Sequence, residues 1–122
     1  MASTILTIED TGGIRRLIRM TLEYDGFAVA ESSNGTDGIE MAKKVKPALI
    51  LLDLKMPNLS GIEVCKILKA STELCDIPVV MLSAQSDQDG IAAALSAGAL
   101  RYLVKPFKPQ QLLDLVSSLV KK

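Results

Sequence analysis

Short apolar runs alternate along the chain with stretches whose apolar residues recur at helical spacing. Thr4–Glu9 is a brief β-prone run, and Ile14, Leu17, Ile18, Thr21 and Leu22 then follow a helical period. Gly26 stands where a helix C-terminus needs a left-handed residue. Phe27–Ser32 reads as a second strand, and Asn34-Gly35-Thr36 as the turn and cap of a helix over Thr36–Val45. Ala48–Leu52 is wholly apolar and runs into Asp53. After a loop over Lys55–Ser60, Gly61–Ala70 reads helical, with Ile62, Cys65 and Leu68 or Lys69 along one side. Ile77–Leu82 predicts a strand, Asp87–Ala97 a helix closed by Gly98, Leu100–Val104 a strand, and Pro109–Val120 a final helix.

Strict alternation of strand and helix implies a parallel sheet covered on both faces. Strands buried on both faces read as continuous apolar runs, as Ala48–Leu52 and Ile77–Leu82 do. Phe27–Ser32 and the Arg101-containing strand are mixed, which puts strands 2 and 5 at the edges. Right-handed crossovers make 2-1-3-4-5 the simplest order. In that order the chain reverses direction between strands 1 and 3, and ligands bind beyond the carboxyl ends of the strands at such a point.

Composition narrows the chemistry. The 122 residues contain no histidine, so no His base, no Ser-His or Cys-His pair and no His-ligated zinc is available. Fourteen basic residues balance fourteen acidic ones, which argues against a nucleic-acid or membrane-surface binder. The only aromatics are Tyr24, Phe27, Tyr102 and Phe107, too few for a base-stacking platform. Cys65 and Cys75 form no ligand pattern and read as reduced thiols. No signal-peptide pattern opens the chain and no apolar run approaches the ~20 residues of a membrane span, so a cytoplasmic location is expected. No linker or composition shift divides residues 1–122, which read as one domain.

The strand ends carry the candidate chemistry: Glu9-Asp10 on strand 1, Asp53 on strand 3, Ser83 on strand 4 and Lys105-Pro106 on strand 5. Singly, each has a structural explanation. Asp53 or Ser83 could cap the next helix, Lys105 could be a solvated strand end, and Tyr102 could be packing. Jointly they would gather three carboxylates at the switch point, where like charges repel unless a hard cation sits among them. Acid cluster, cation, hydroxyl and ammonium together suit phosphoryl transfer, with an Asp carboxylate as the available nucleophile.

With these residues in place, the sequence resembles the response-regulator receiver domain of two-component signalling over about residues 3–120. The resemblance rests on Glu9-Asp10, on Asp53 followed by M-P-N-L-S-G at 56–61, on Ser83-Ala84, and on G-A-L-R-Y-L-V-K-P-F at 98–107. It implies a flavodoxin-like doubly wound five-stranded parallel sheet of the same 2-1-3-4-5 order with five helices. It further implies that Asp53 accepts a phosphoryl group from a sensor histidine kinase or phosphotransfer protein. Mg2+ would be held by Glu9, Asp10, Asp53 and the Lys55 carbonyl. Ser83 and Lys105 would contact the phosphoryl group, and Lys105-Pro106 would be cis. Tyr102 would act as a switch aromatic, signalling to a downstream effector protein through the helix 4, strand 5 and helix 5 face, with slow dephosphorylation. Such a chain catalyses its own phosphorylation and dephosphorylation but is primarily a switch, either complete or part of a longer regulator.

Some positions depart from the family pattern. Ser83 stands where threonine is commoner, Thr11-Gly12-Gly13 adds backbone freedom at the start of the first helix, and Lys55 and Gln85 flank the acceptor at variable rim positions. Three rivals differ in chemistry. A docking module would keep the fold alone. A haloacid-dehalogenase-type phosphatase would need an Asp at position 55, where Lys stands, and a flavodoxin would need a longer phosphate loop than T-G-G at 11–13.

Overall fold

A computed structural model describes residues 3–84 and 86–121. Gln85 and Lys122 therefore lie outside the described residues. Five strands, β1 (Thr4–Ile8), β2 (Ala28–Ser32), β3 (Leu49–Asp53), β4 (Val79–Ala84) and β5 (Arg101–Lys105), alternate with five helices. These are α1 (Gly12–Tyr24), α2 (Gly35–Val45), α3 (Gly61–Ala70), α4 (Gln88–Ser96) and α5 (Pro109–Leu119). All pairings are parallel and the order is β2-β1-β3-β4-β5, as the alternation and the mixed edge strands predict. The largest boundary difference is at β4, which starts after Pro78 and runs through Ser83, so that the hydroxyl lies within the strand.

The helix ends follow local chemistry. Gly26 (φ 95°) and Gly98 (φ 114°) take the left-handed conformation past α1 and α4. In each case the glycine amide and the one after it bond back in the paired Schellman pattern, Gly26 to Glu23 and Phe27 to Leu22, Gly98 to Leu95 and Ala99 to Ala94. Asn34 caps α2, Ser60 and Glu63 form a capping box on α3, and Asp87 caps α4. Among the described residues, the caps that follow β3 and β4 are thus Ser60 and Asp87, not Asp53 and Ser83. On α3 the buried residues are Gly61, Val64, Cys65 and Leu68, with Ile62 only partly buried against the core. Lys69 donates to the Cys75 and Ile77 carbonyls at 3.0 and 2.9 Å.

The sheet separates two apolar clusters. Ile5, Leu49, Leu51, Val80 and Leu82 pack on Ile18 and Leu22 of α1 and Leu112 and Val116 of α5. Leu6, Ile8, Ile50, Leu52 and Met81 pack on α2, α3 and α4 through Ile39, Ala42, Val64, Leu68 and Ala94. Side chains alternate along a strand, so this division sorts the strand ends. Glu9, Asp53 and Lys105 continue the rows that face α1 and α5, whereas Ser83 and Tyr102 belong to the rows that face the other three helices.

Candidate functional site

Three parallel strands deliver the charged groups to one rim. Glu9 follows β1 directly, its amide bonded to the Ser32 carbonyl at 3.1 Å. Asp53 closes β3 and Lys105 closes β5. Lys105 Nζ donates to Glu9 Oε1 at 2.8 Å and to Asp53 Oδ1 at 2.9 Å, bridging two carboxylates across the sheet. The Lys105–Pro106 peptide is cis, as the resemblance implies. Asp10 is exposed, and one oxygen each of Glu9, Asp10 and Asp53 lie within 4.8 Å of one another. The mouth is a cleft of about 250 Å³ lined by Asp10, Thr11, Asp53, Leu54, Lys55, Ser83, Ala84 and Lys105.

Burial sets the electrostatics. Glu9 is fully buried, and Asp53 and Ser83 nearly so. Loss of water and the facing Asp53 carboxylate push the Glu9 carboxyl up to about 8, against the downward pull of Lys105. Burial lowers the Lys105 ammonium, but its hydrogen bonds to Glu9 and Asp53 outweigh that and leave it raised. Glu9 Oε2 and Ser83 Oγ are buried without a hydrogen-bond partner among the described residues. A buried carboxyl pair facing one ammonium, with a spare buried Glu9 oxygen beside the exposed Asp10, is a donor set suited to a hard divalent cation that displaces the Glu9 proton.

The raised Glu9 carboxyl predicts a pH dependence. Between its ordinary value of 4.5 and about 8 the folded chain holds a proton on Glu9 that the unfolded chain has released. Stability of the cation-free protein therefore falls as pH rises through that window and levels off above it. Urea midpoints in a chelating buffer should show the fall. Glu9→Gln should flatten it, and millimolar Mg2+ should offset it by taking the proton's place.

The loop after Asp53 is held by close backbone packing. The Gly61 amide bonds to the Leu54 carbonyl at 2.9 Å, and a Cβ at Gly61 would lie 2.2 Å from the Asp53 carbonyl oxygen. Backbone is on both sides, so no flexible side chain can yield. Gly61→Ala should lower stability by about 2–3 kcal/mol, at the upper end of overpacking costs, read from denaturation midpoints.

Two contributors lay beyond local pattern. Thr11 caps α1 without a side-chain hydrogen bond, and Arg15 instead reaches back from the first turn to the Glu9 carbonyl at 2.7 Å. The start of α1, expected to be loosened by Gly12 and Gly13, is thereby tied to the acid that ends β1. Lys55 extends across the rim to Asp87, with Nζ 3.5 Å from Oδ2. Tyr102 is 45% exposed and lines a groove with Gln88, Ile91, Ala92, Leu95 and Val104, on the face that Ser83 shares.

Known proteins share this arrangement. The family model described as the response regulator receiver domain matches residues 5–117. The DNA-binding response regulator MtrA of Mycobacterium tuberculosis (strain ATCC 25618 / H37Rv) is 33% identical over the whole chain, which covers 52% of that protein. ResD of Bacillus subtilis, a transcriptional regulatory protein, is 37% identical over 97% of the chain and 48% of its own length. The chain thus spans about half the length of these relatives. Among solved structures, the chemotaxis protein CheY4 of Vibrio cholerae superimposes with a TM-score of 0.92 at 26% identity, covering 98% of this chain and all of that one. The signal receiver domain of a histidine kinase from Syntrophus aciditrophicus gives 0.89 at 30% identity, covering 97% and 89%. No helix among the described residues is long and apolar enough to cross a membrane. With the matched stretch taking in all five strands but for Thr4, and the whole charged rim, the chain belongs to the response regulator receiver domain family of two-component systems.

Proposed function

We propose that residues 1–122 act as one receiver domain in which Asp53 accepts a phosphoryl group from a phosphohistidine on a sensor kinase or phosphotransfer protein. The observation that carries this reading is the Lys105 bridge between the buried Glu9 and Asp53 carboxylates at the mouth of a cleft. An Asp53 oxygen attacks phosphorus, the P–N bond breaks, and the imidazole of the donor leaves with its electron pair and takes up a proton. Lys105, already within hydrogen-bond distance of Asp53, moves its ammonium onto a phosphoryl oxygen, and Ser83 Oγ, buried without a partner, supplies a hydroxyl beside it. Glu9, Asp10, Asp53 and the Lys55 carbonyl would hold Mg2+, which supplies further positive charge for the phosphoryl oxygens. Water later attacks phosphorus and returns inorganic phosphate and the free Asp53 carboxylate.

Phosphorylation adds roughly two negative charges at the rim. Ser83 and Tyr102 share a sheet face, which supports a shift of Ser83 toward the new charge and an inward turn of Tyr102 into the space vacated. The α4, β5 and α5 surface would then present a changed face to a downstream protein. Nucleic-acid contact, which the name of MtrA declares for that relative, is not expected of this domain, whose charge is balanced. A cytoplasmic setting fits a donor of this kind.

Incubation with acetyl phosphate and Mg2+, followed by intact mass and peptide mapping, tests the assignment. One phosphoryl group on Asp53 is expected. No adduct would leave the chain as a docking module on the receiver fold.

A further inference from the structure

Lys55 and Asp87 join two loops that the chemistry described above leaves separate. Lys55 lies two residues beyond Asp53 and lines the same cleft. Its side chain is 78% exposed, whereas the Asp87 side chain is only 16% exposed. Asp87 has two tasks: Oδ1 accepts the Gly90 amide at 3.1 Å as the cap of α4, and Oδ2 faces Lys55 at 3.5 Å. The seat for this carboxylate is closely built. A Cβ on Gly90 would lie 2.5 Å from Asp87 Oδ2 and 2.6 Å from Leu54 Cδ2. The first turn of α4 thus closes onto both the capping carboxylate and the side chain of Leu54, the residue next to Asp53, and a larger residue at Gly90 would have to push one of them aside.

We propose that Lys55 is a shared counter-ion, paired with Asp87 while Asp53 is free and drawn to the phosphoryl oxygens once Asp53 is occupied, so that occupancy of Asp53 leaves the whole charge of Asp87 to the cap of α4. The proposal rests on the reading of Asp53 as acceptor and adds a second route from that residue to α4, independent of Ser83 and Tyr102. The driving force is charge competition. One carboxylate is exchanged for a dianionic group in the same cleft, and a mobile ammonium follows the larger charge. Asp87 then keeps its hydrogen bond to Gly90 and, without its charge partner, meets the positive end of α4 with its full charge, which tightens the first turn of α4.

Coupling of this kind is reciprocal at equilibrium. Removing the charge of Asp87 while keeping its cap should leave Lys55 to the phosphoryl site. Asp87→Asn does this, and Asp87→Ser is a second variant that retains a capping oxygen. Beryllofluoride with Mg2+ serves as the reversible phosphoryl mimic, its affinity read by fluorine NMR. Asp87→Asn should bind it about two- to fivefold more tightly, the scale of one exposed ion pair. Lys55→Gln should bind it more weakly, and Asp87→Asn in the Lys55→Gln background should change nothing further. Amide exchange at Gly90 and Ile91 should slow on beryllofluoride binding in the wild type and not in Lys55→Gln. An equal effect of Asp87→Asn in both backgrounds would reduce Asp87 to a general field effect and overturn the proposal, as would no effect in either. If the folded wild type takes up no beryllofluoride, the acceptor reading itself fails and this proposal fails with it.

Discussion

Asp53→Asn is expected to abolish phosphoryl uptake from acetyl phosphate and, in the same protein, to raise the stability of the cation-free domain. The first effect follows from chemistry: an amide oxygen carries no charge with which to attack phosphorus. Uptake measured by intact mass should fall to background. The second follows from the crowding at the rim. Asp53 is one of the causes that push Glu9 up to about 8, so removing its charge relieves Glu9 while the amide oxygen still accepts from Lys105. Above about pH 8, where Glu9 is ionised, a gain of roughly 1 kcal/mol corresponds to about one pKa unit of relief. Denaturation in a chelating buffer reads that gain, and added Mg2+ should stabilise the variant less than the wild type because one ligand charge is gone. A variant both inactive and less stable in chelating buffer would show that repulsion at this site is already cancelled by Lys105.

Lys105→Met has the opposite signature on stability. Nζ is the hydrogen-bond partner of both buried carboxylates, and its loss leaves them facing one another. Removing one member of a fully buried pair costs about 3–5 kcal/mol. Lys105 retains 21% side-chain exposure, so about 2–3 kcal/mol is expected in the absence of a cation. Mg2+ should recover part of this by replacing the lost positive charge. Uptake from acetyl phosphate should fall by about 10²–10³, the range for removing one preformed donor to developing oxyanion charge. Recovered stability without recovered uptake would separate the role of Lys105 toward the carboxylates from its role toward the phosphoryl group.

These two residues were legible in the sequence because parallel strands carry their chemistry at their ends. A wholly apolar run that stops at Asp53, and a strand that stops at Lys105 before a proline, announce the rim without any tertiary information. Gly26 and Gly98 were legible for a similar reason, since a helix terminus that needs a positive φ selects glycine locally. The α3 stripe was less clear. Ile62, Val64, Cys65 and Ile67 are all apolar, and only the neighbouring strands and α4 decide that Val64 and Cys65 point inward while Ile62 lies at the margin. Arg15 and Lys55 were illegible in their tertiary roles. Each is a long charged side chain on a surface position, and sequence spacing does not say that one turns back to the Glu9 carbonyl or that the other spans to a capping carboxylate 32 positions further along the chain. Asp87 was readable as the start of a helix, but its second oxygen has a use only when the β3–α3 loop lies against it.

The division of the core into two clusters has a consequence for how such a domain can change over time. The clusters share no residue, and the sheet lies between them. Substitutions on opposite sides that share no partners tend to combine additively. Variation beneath α2, α3 and α4 can therefore accumulate without shifting the rows that carry Glu9, Asp53 and Lys105. The packing under α2, α3 and α4 and the rows that end in Glu9, Asp53 and Lys105 thus rest on separate sets of side chains, and one set can drift while the other is held.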